Sequence, residues 1–144
     1  MDLLFKYLES IAPLSPDLRE FLSLSIKAKT IRKNEFLLKT GRTCDNLYFI
    51  EKGLIRSYIA EEEQQVSCWF MKEGDVIIID SFCNQIPSDV NLRALEDSNL
   101  YYISYRELHF IYETFPEFNT IARHVTEKLL RKVWAYVRET NMKT

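Results

Sequence analysis

Glycine is scarce: the chain has three among 144 residues. A loop that cradles a phosphate brings backbone amides close to the anion, and it usually needs glycine to do so. Few places in this chain offer that. Histidine is scarcer still, with only His109 and His124. The cysteines, Cys44, Cys68 and Cys83, are odd in number and widely spaced. Neither set makes a zinc or iron–sulfur pattern, and no cofactor is expected. Three unpatterned cysteines read as free thiols in a reducing compartment. Positive charge is not in excess either, since the net charge is −2. A surface that grips DNA needs Lys and Arg to displace counterions, which argues against DNA binding by this chain on its own. No apolar run approaches membrane length. The N-terminal MDLLFKYLES lacks the apolar centre of a secretory signal. The expectation is a cytoplasmic protein with no membrane partner.

What is present is apolar and aromatic: 47% hydrophobic residues, including eight tyrosines and nine phenylalanines. The length suits one folding unit with its own core. Leu3, Leu4, Tyr7, Leu8 and Ile11 recur at helical spacing. Ser15 then reads as an N-cap with Pro16 at the first helical position, and Leu18, Phe21 and Leu22 continue a second short helix. From about residue 26 the period drops to two. Lys27 and Lys29 alternate with Ile26 and Ala28, as in a strand with one wet face. "NLYFIEKGLIRSYI" reads as a hairpin turning at Glu51, Lys52 and Gly53. Turns at 61–63 and 72–75 bound the strand "QVSCWFM", and "VIII" reads as a buried strand. "LRALEDSNLYYIS" reads as a last hairpin with its turn near residues 97–99. Turn signals about every ten residues favour a sandwich or barrel over a parallel sheet.

Helices return at the C-terminal end. Ser104 and Glu107 are spaced for a capping box that opens a short helix through Leu108 and Ile111. Thr114 and Glu117 have the same spacing. The segment 117–140 contains no Pro or Gly after Pro116 and reads as the longest helix. At 100° per residue, Phe118, Ala122, Val125, Leu129, Val133 and Tyr136 fall on one line. Leu130, Trp134 and Val137 flank it on one side and Ile121 on the other. This apolar arc of roughly 220° exceeds what one core requires, so two neighbours are expected. One is the chain's own β-region; the other is the same helix of a second copy, met along that line.

Two short helices, a β-region, a small helix and a long helix, in that order, resemble the sensor domain of Crp/Fnr-type transcription regulators. "IRKNEFLLKTGRTCDNLYFIEKGLIRSY" and "KEGDVI" carry the likeness most specifically. The resemblance implies a mainly β fold with flanking helices. That fold is a double-stranded β-helix, or jelly roll, of the cyclic nucleotide-binding kind, with two N-terminal helices and a long C-terminal dimerisation helix. It divides the chain into residues 1–115, the β-domain with its leading helices, and 116–144, the long helix and a linker stub. Gly41, Gly53, Gly74 and Asp75 match its structural turns. It implies no catalytic residues, no metal, and DNA contact only through a C-terminal winged helix-turn-helix that would follow the polar "RETNMKT".

Similar proteins that bind cyclic nucleotides carry a Gly-Glu pair after the Gly-Asp turn and a later Arg. The glycine admits backbone amides, the Glu accepts from the ribose and the Arg neutralises the phosphate. Here the first two positions are Ile78 and Ile79, and the later ones Ser88 and Asp89. No cation remains in the loop, Arg93 has no matching role, and burying a phosphate beside Asp89 is costly. The expectation is a degenerate site that does not take cyclic AMP. Ile78, Ile79, Asp80, Ser81, Phe82, Ser88 and Asp89 would line its pocket, which either holds a less anionic effector or is filled by its own Ile and Phe82 side chains. An enzyme is not expected. The alternatives are a cupin-type metalloenzyme, which needs converging histidines that His109 and His124 do not supply, and a small-molecule binding module without a DNA-binding role.

Overall fold

Ten residues of apolar-periodic sequence make the first helix, α1 (Asp2–Ile11), which buries Leu4, Phe5 and Leu8. The computed structural model describes residues 1–142. Lys143 and Thr144, the end of the polar stretch read as a linker, lie outside the described residues, as do the side chains of Cys68, Asn141 and Met142. The second helix, α2 (Pro16–Ser25), opens as its sequence dictates: the Ser15 hydroxyl accepts from the Leu18 amide at 3.2 Å.

Eight strands follow: β1 (Lys27–Ile31), β2 (Phe36–Leu38), β3 (Asn46–Lys52), β4 (Leu54–Glu61), β5 (Gln64–Lys72), β6 (Val76–Ile77), β7 (Asn91–Ala94) and β8 (Ser98–Ser104). They form two four-stranded antiparallel sheets, ordered β1-β8-β3-β6 and β2-β7-β4-β5. This is the jelly roll expected. A short helix, α3 (Asp80–Asn84), interrupts the strands between β6 and β7, and two helices close the chain, α4 (Tyr105–Thr114) and α5 (Phe118–Met142).

Both expected hairpins are corrected. β3 pairs with β6 and β8, whereas β4 pairs with β5 and β7, so "NLYFIEKGLIRSYI" crosses from one sheet to the other. "LRALEDSNLYYIS" does the same, because β7 and β8 also lie in different sheets. Alternation records that each strand has one buried face and is silent about which strand it pairs with. The two crossovers meet. Gly53 has φ +132, and a Cβ there would stand 2.7 Å from the Ser98 Cα and 2.0 Å from its Oγ. The Ser98 hydroxyl in turn accepts from the Leu54 amide at 3.2 Å and donates to the Glu96 carbonyl at 2.9 Å. Gly53 therefore serves both the left-handed backbone and the contact between corners.

Three further expectations shift. β1 is exposed on both faces up to Ile31, as suits a sheet edge, rather than having one wet face. The strand in "VIII" ends after Ile77, because β6 pairs only Tyr48 and Phe49 before the chain turns into α3. Thr114 lies inside α4 and caps nothing; Phe115 ends that helix, as the residue before Pro116 disfavours helical backbone. The capping box at Ser104 and Glu107 is present in full.

The helices α1, α4 and α5 cover the outer face of the β1-β8-β3-β6 sheet. Tyr7 of α1 stacks on Phe49 at a 6.1 Å ring separation. Leu108 and Ile111 of α4 and Phe118 and Ile121 of α5 are buried in the same core as Phe49, Leu100 and Ile103.

Candidate functional site

The sequence places the site between Gly74 and Ala94, and that segment is now visible in detail. The turn at its start is built as expected: Gly74 has φ +88, and the Asp75 amide donates to the Lys72 carbonyl at 2.9 Å. Asp75 also does something sequence reasoning missed. One carboxylate oxygen accepts from the Lys72 amide at 2.9 Å, and the other meets the Lys132 Nζ of α5 at 2.6 Å. The polar-face spacing of Lys132 gave no sign of this partner.

The seven expected pocket residues do not converge. Ile78 and Ile79 are half-buried, where the nucleotide-binding pattern has a backbone open to an anion. Asp80 is exposed at the start of α3 and accepts from Asn84. Ser81 is buried and occupied: its hydroxyl accepts from the Cys44 amide at 2.8 Å and donates to the Ile86 carbonyl at 2.5 Å. Phe82 is buried with its edge toward Tyr105.

Ser88, at the position of the missing Arg, is also buried, and its hydroxyl is turned into its own loop. It donates to the Val90 carbonyl at 2.8 Å and accepts from the Val90 amide at 3.1 Å. The Ser88 backbone is tied to the other expected turn. Gly41, at φ +92, donates to the Ser88 carbonyl at 2.8 Å, and the Ser88 amide donates to the Arg42 carbonyl at 2.8 Å. Asp89 is exposed. The hydroxyls of Ser81 and Ser88 are thus spent on nearby backbone, and residues 78–89 include no Lys or Arg to meet a phosphate.

The cavity lies elsewhere. A space of about 190 Å³ opens between α1, α4 and α5 and the sheet. Of the seven expected residues Ile78 and Phe82 line it, and Ile79, Asp80, Ser81, Ser88 and Asp89 do not. β6 pairs only two residues of β3, which leaves the remaining edge open. Side chains from both sheet faces reach the cavity there: Phe49 and Tyr101 from the helix-facing rows, Tyr48 and Tyr102 from the inner ones. The walls carry no Asp, Glu, Lys, Arg or His. Burial pushes the hydroxyls of Tyr7, Tyr48 and Tyr112 above the usual tyrosine range, and the thiols of Cys44 and Cys83 above the usual cysteine range. All of these groups stay neutral near neutral pH. The aromatic run "LYYISY" was the one available sequence signal, and it reads as ordinary strand composition.

The long helix also corrects the line drawn along it. Phe118 is buried in the chain's own core, and Ala122 and Val125 line the cavity. Leu129 faces the cleft beside Trp69 and Asp75, and Tyr136 sets an edge against Trp69 of β5 at 5.0 Å. Most of that line therefore faces the β-domain. The surface left open joins the flanking Leu130 at 54% exposure, Trp134 at 59% and Val137 at 36% to the last two residues of the line, Val133 at 38% and Tyr136 at 44%. His124 is exposed on α5, and His109 sits between the rings of Tyr105 and Tyr112 on α4.

Residues 28–115 match the family described as "Cyclic nucleotide-binding domain". No curated protein matches the sequence. Among solved structures, the chain is similar to a mutant of CooA from Carboxydothermus hydrogenoformans, with 21% identity and a TM-score of 0.67 over 93% of this chain and 84% of that one. It is similar to the catabolite activator protein of Thermus thermophilus, with 16% identity and a TM-score of 0.69 over 94% of this chain and 62% of that one. The c-di-GMP-responsive regulator CLP of Xanthomonas campestris aligns with 17% identity and a TM-score of 0.70 over 85% of this chain and 61% of that one. At these identities the likeness is one of fold.

Proposed function

Because the chain belongs to the cyclic nucleotide-binding domain family, we propose that it is the effector-sensing, dimerising regulatory part of a Crp/Fnr-like transcription regulator, and that its phosphate loop does not bind cyclic AMP. One observation carries the second half. At the position where a phosphate needs a cation stands a buried serine whose hydroxyl is spent on Val90, tied to the Gly41 turn on both sides of its peptide. Losing a charge-assisted pair costs roughly 1.5–3 kcal/mol of binding before the obstruction by Ile78 is counted.

In this reading residues 1–115 are the sensing body and 116–144 the helix that pairs with a second copy. The open stripe of Leu130, Val133, Trp134 and Val137 supports that pairing, since a two-fold axis lets one such stripe meet itself. DNA contact belongs to a separate domain, consistent with the net charge of −2. The role is regulatory rather than enzymatic. No described helix is long and apolar enough to cross a membrane.

Isothermal titration with cyclic AMP tests the loop: no heat of binding is expected at millimolar nucleotide, and a micromolar Kd would sink this reading. Sedimentation tests the pairing. A dimer that becomes a monomer in Trp134→Glu is expected, and a wild-type monomer at high concentration would remove it.

A further inference from the structure

Protein interiors leave few voids larger than a water molecule. Here a space of about 190 Å³ remains among large side chains that could have closed it. An engineered apolar cavity of about 150 Å³ holds benzene. This one accommodates a substituted ring or a fused pair of rings.

Its chemistry is selective. No charged side chain lines it; the Met1 ammonium is bonded to the Tyr101 hydroxyl at 2.6 Å and Lys128 lies over the Tyr7 ring at 5.0 Å, both outside the lining, so an anion seated among the apolar walls would lose hydration without a direct ion pair. The walls are apolar apart from tyrosine hydroxyls and the rim residues Cys83 and Thr126, both of which are exposed and mark a way in. No described residue hydrogen-bonds the hydroxyls of Tyr7, Tyr102 or Tyr112. Such a site suits a ligand that is apolar over most of its surface and carries one hydroxyl or carbonyl oxygen.

One wall of the cavity is supplied by the long helix. Ala122 and Val125 belong to α5, the helix that carries the open stripe further along. A ligand seated against them has a different contact free energy for each position of that helix, which is the requirement for shifting it.

We propose that this cavity is the effector site, and that it takes a neutral, largely apolar aromatic molecule bearing a single hydroxyl or carbonyl group. The inference rests on the reading above in one respect: the loop of residues 74–94 does not serve a nucleotide.

The test uses the full chain and four probes: 1-naphthol, naphthalene, naphthalene-1-sulfonate and cyclic AMP, followed by calorimetry and thermal shift. Saturable binding of 1-naphthol, one per chain, with a rise in Tm is expected, and the sulfonate should bind at least about tenfold more weakly. Ala122→Leu fills the wall and should abolish 1-naphthol binding while Tm holds or rises. Absence of saturable 1-naphthol binding, equal affinity for the sulfonate, or full binding by a folded Ala122→Leu would each overturn the proposal. Tyr112→Phe keeps the test alive in case the leucine variant does not fold. It should weaken 1-naphthol about fivefold and leave naphthalene unchanged; no change for 1-naphthol counts against the site. Cyclic AMP separates the two readings. Binding that competes with 1-naphthol overturns both, whereas binding that leaves 1-naphthol unaffected overturns only the reading of the loop and supports a distinct cavity.

Discussion

The loop of residues 78–89 and the cavity under the helices are opposites. The loop is polar and closed. Ser81 and Ser88 each spend their hydroxyls on nearby backbone, and Gly41 and Arg42 hold the Ser88 peptide from both sides. The cavity is apolar and open, with tyrosine hydroxyls at its walls and no charged side chain among its lining residues. They share three residues, Ile78, Phe82 and Cys83, and a single turn, Gly74 and Asp75, leads into the segment that carries them. Free energy for a ligand remains on the cavity side. Groups already satisfied by their own chain have little to offer a guest, whereas unfilled apolar volume gains by being filled.

Phe82 is the place to break this contrast, because it belongs to both regions. Phe82→Ala should cost about 3–5 kcal/mol in urea denaturation, since a buried ring is lost and the void enlarges. A cost below about 1 kcal/mol would mean that the loop can collapse onto the cavity and that the two are one space. Ser81→Ala probes the closed side alone. It leaves the buried Cys44 amide and the Ile86 carbonyl without their partner, and a loss of about 1–3 kcal/mol is expected. A neutral result would show that the loop is held by packing instead. Ser88→Arg asks whether a cation alone reopens the loop. No cyclic AMP binding should appear by calorimetry, because Ile78 still stands where the backbone must approach; restored binding would make the missing charge the sole defect.

The smallest effect is expected at the tie between turn and helix. Lys132 is 42% exposed against 13% for Asp75, so solvent screens the pair. Lys132→Met should cost no more than about 1 kcal/mol, and less in high salt. A larger loss would give this contact a greater part in seating α5 than its exposure suggests.

Much of the frame was legible. Ser15 with Pro16 and Ser104 with Glu107 announced two helices, and the structure has both caps. Gly41, Gly53 and Gly74 announced backbone turns, and all three have positive φ. The partners of the strands were not legible: both stretches read as hairpins cross between sheets, because alternation is the same whichever strand lies alongside. Along α5 the wide apolar arc was visible, but not which part of it the β-domain takes. Phe118 and Val125 turn inward while Leu130 and Trp134, read as flanking, stay open.

The helix starts, the turn positions, the run of short strands and the lack of Lys or Arg between residues 78 and 89 follow from the amino-acid order alone. Each of these depends on neighbours within a few residues, or on a side chain that is simply not there. Only the tertiary structure decided that Ser88 is stapled to Gly41, that Asp75 meets Lys132, and that the unfilled volume lies beneath α1, α4 and α5. Those depend on contacts between residues far apart in the chain. A void in particular is the difference between how much space the elements enclose and how much their side chains fill, which no local pattern records.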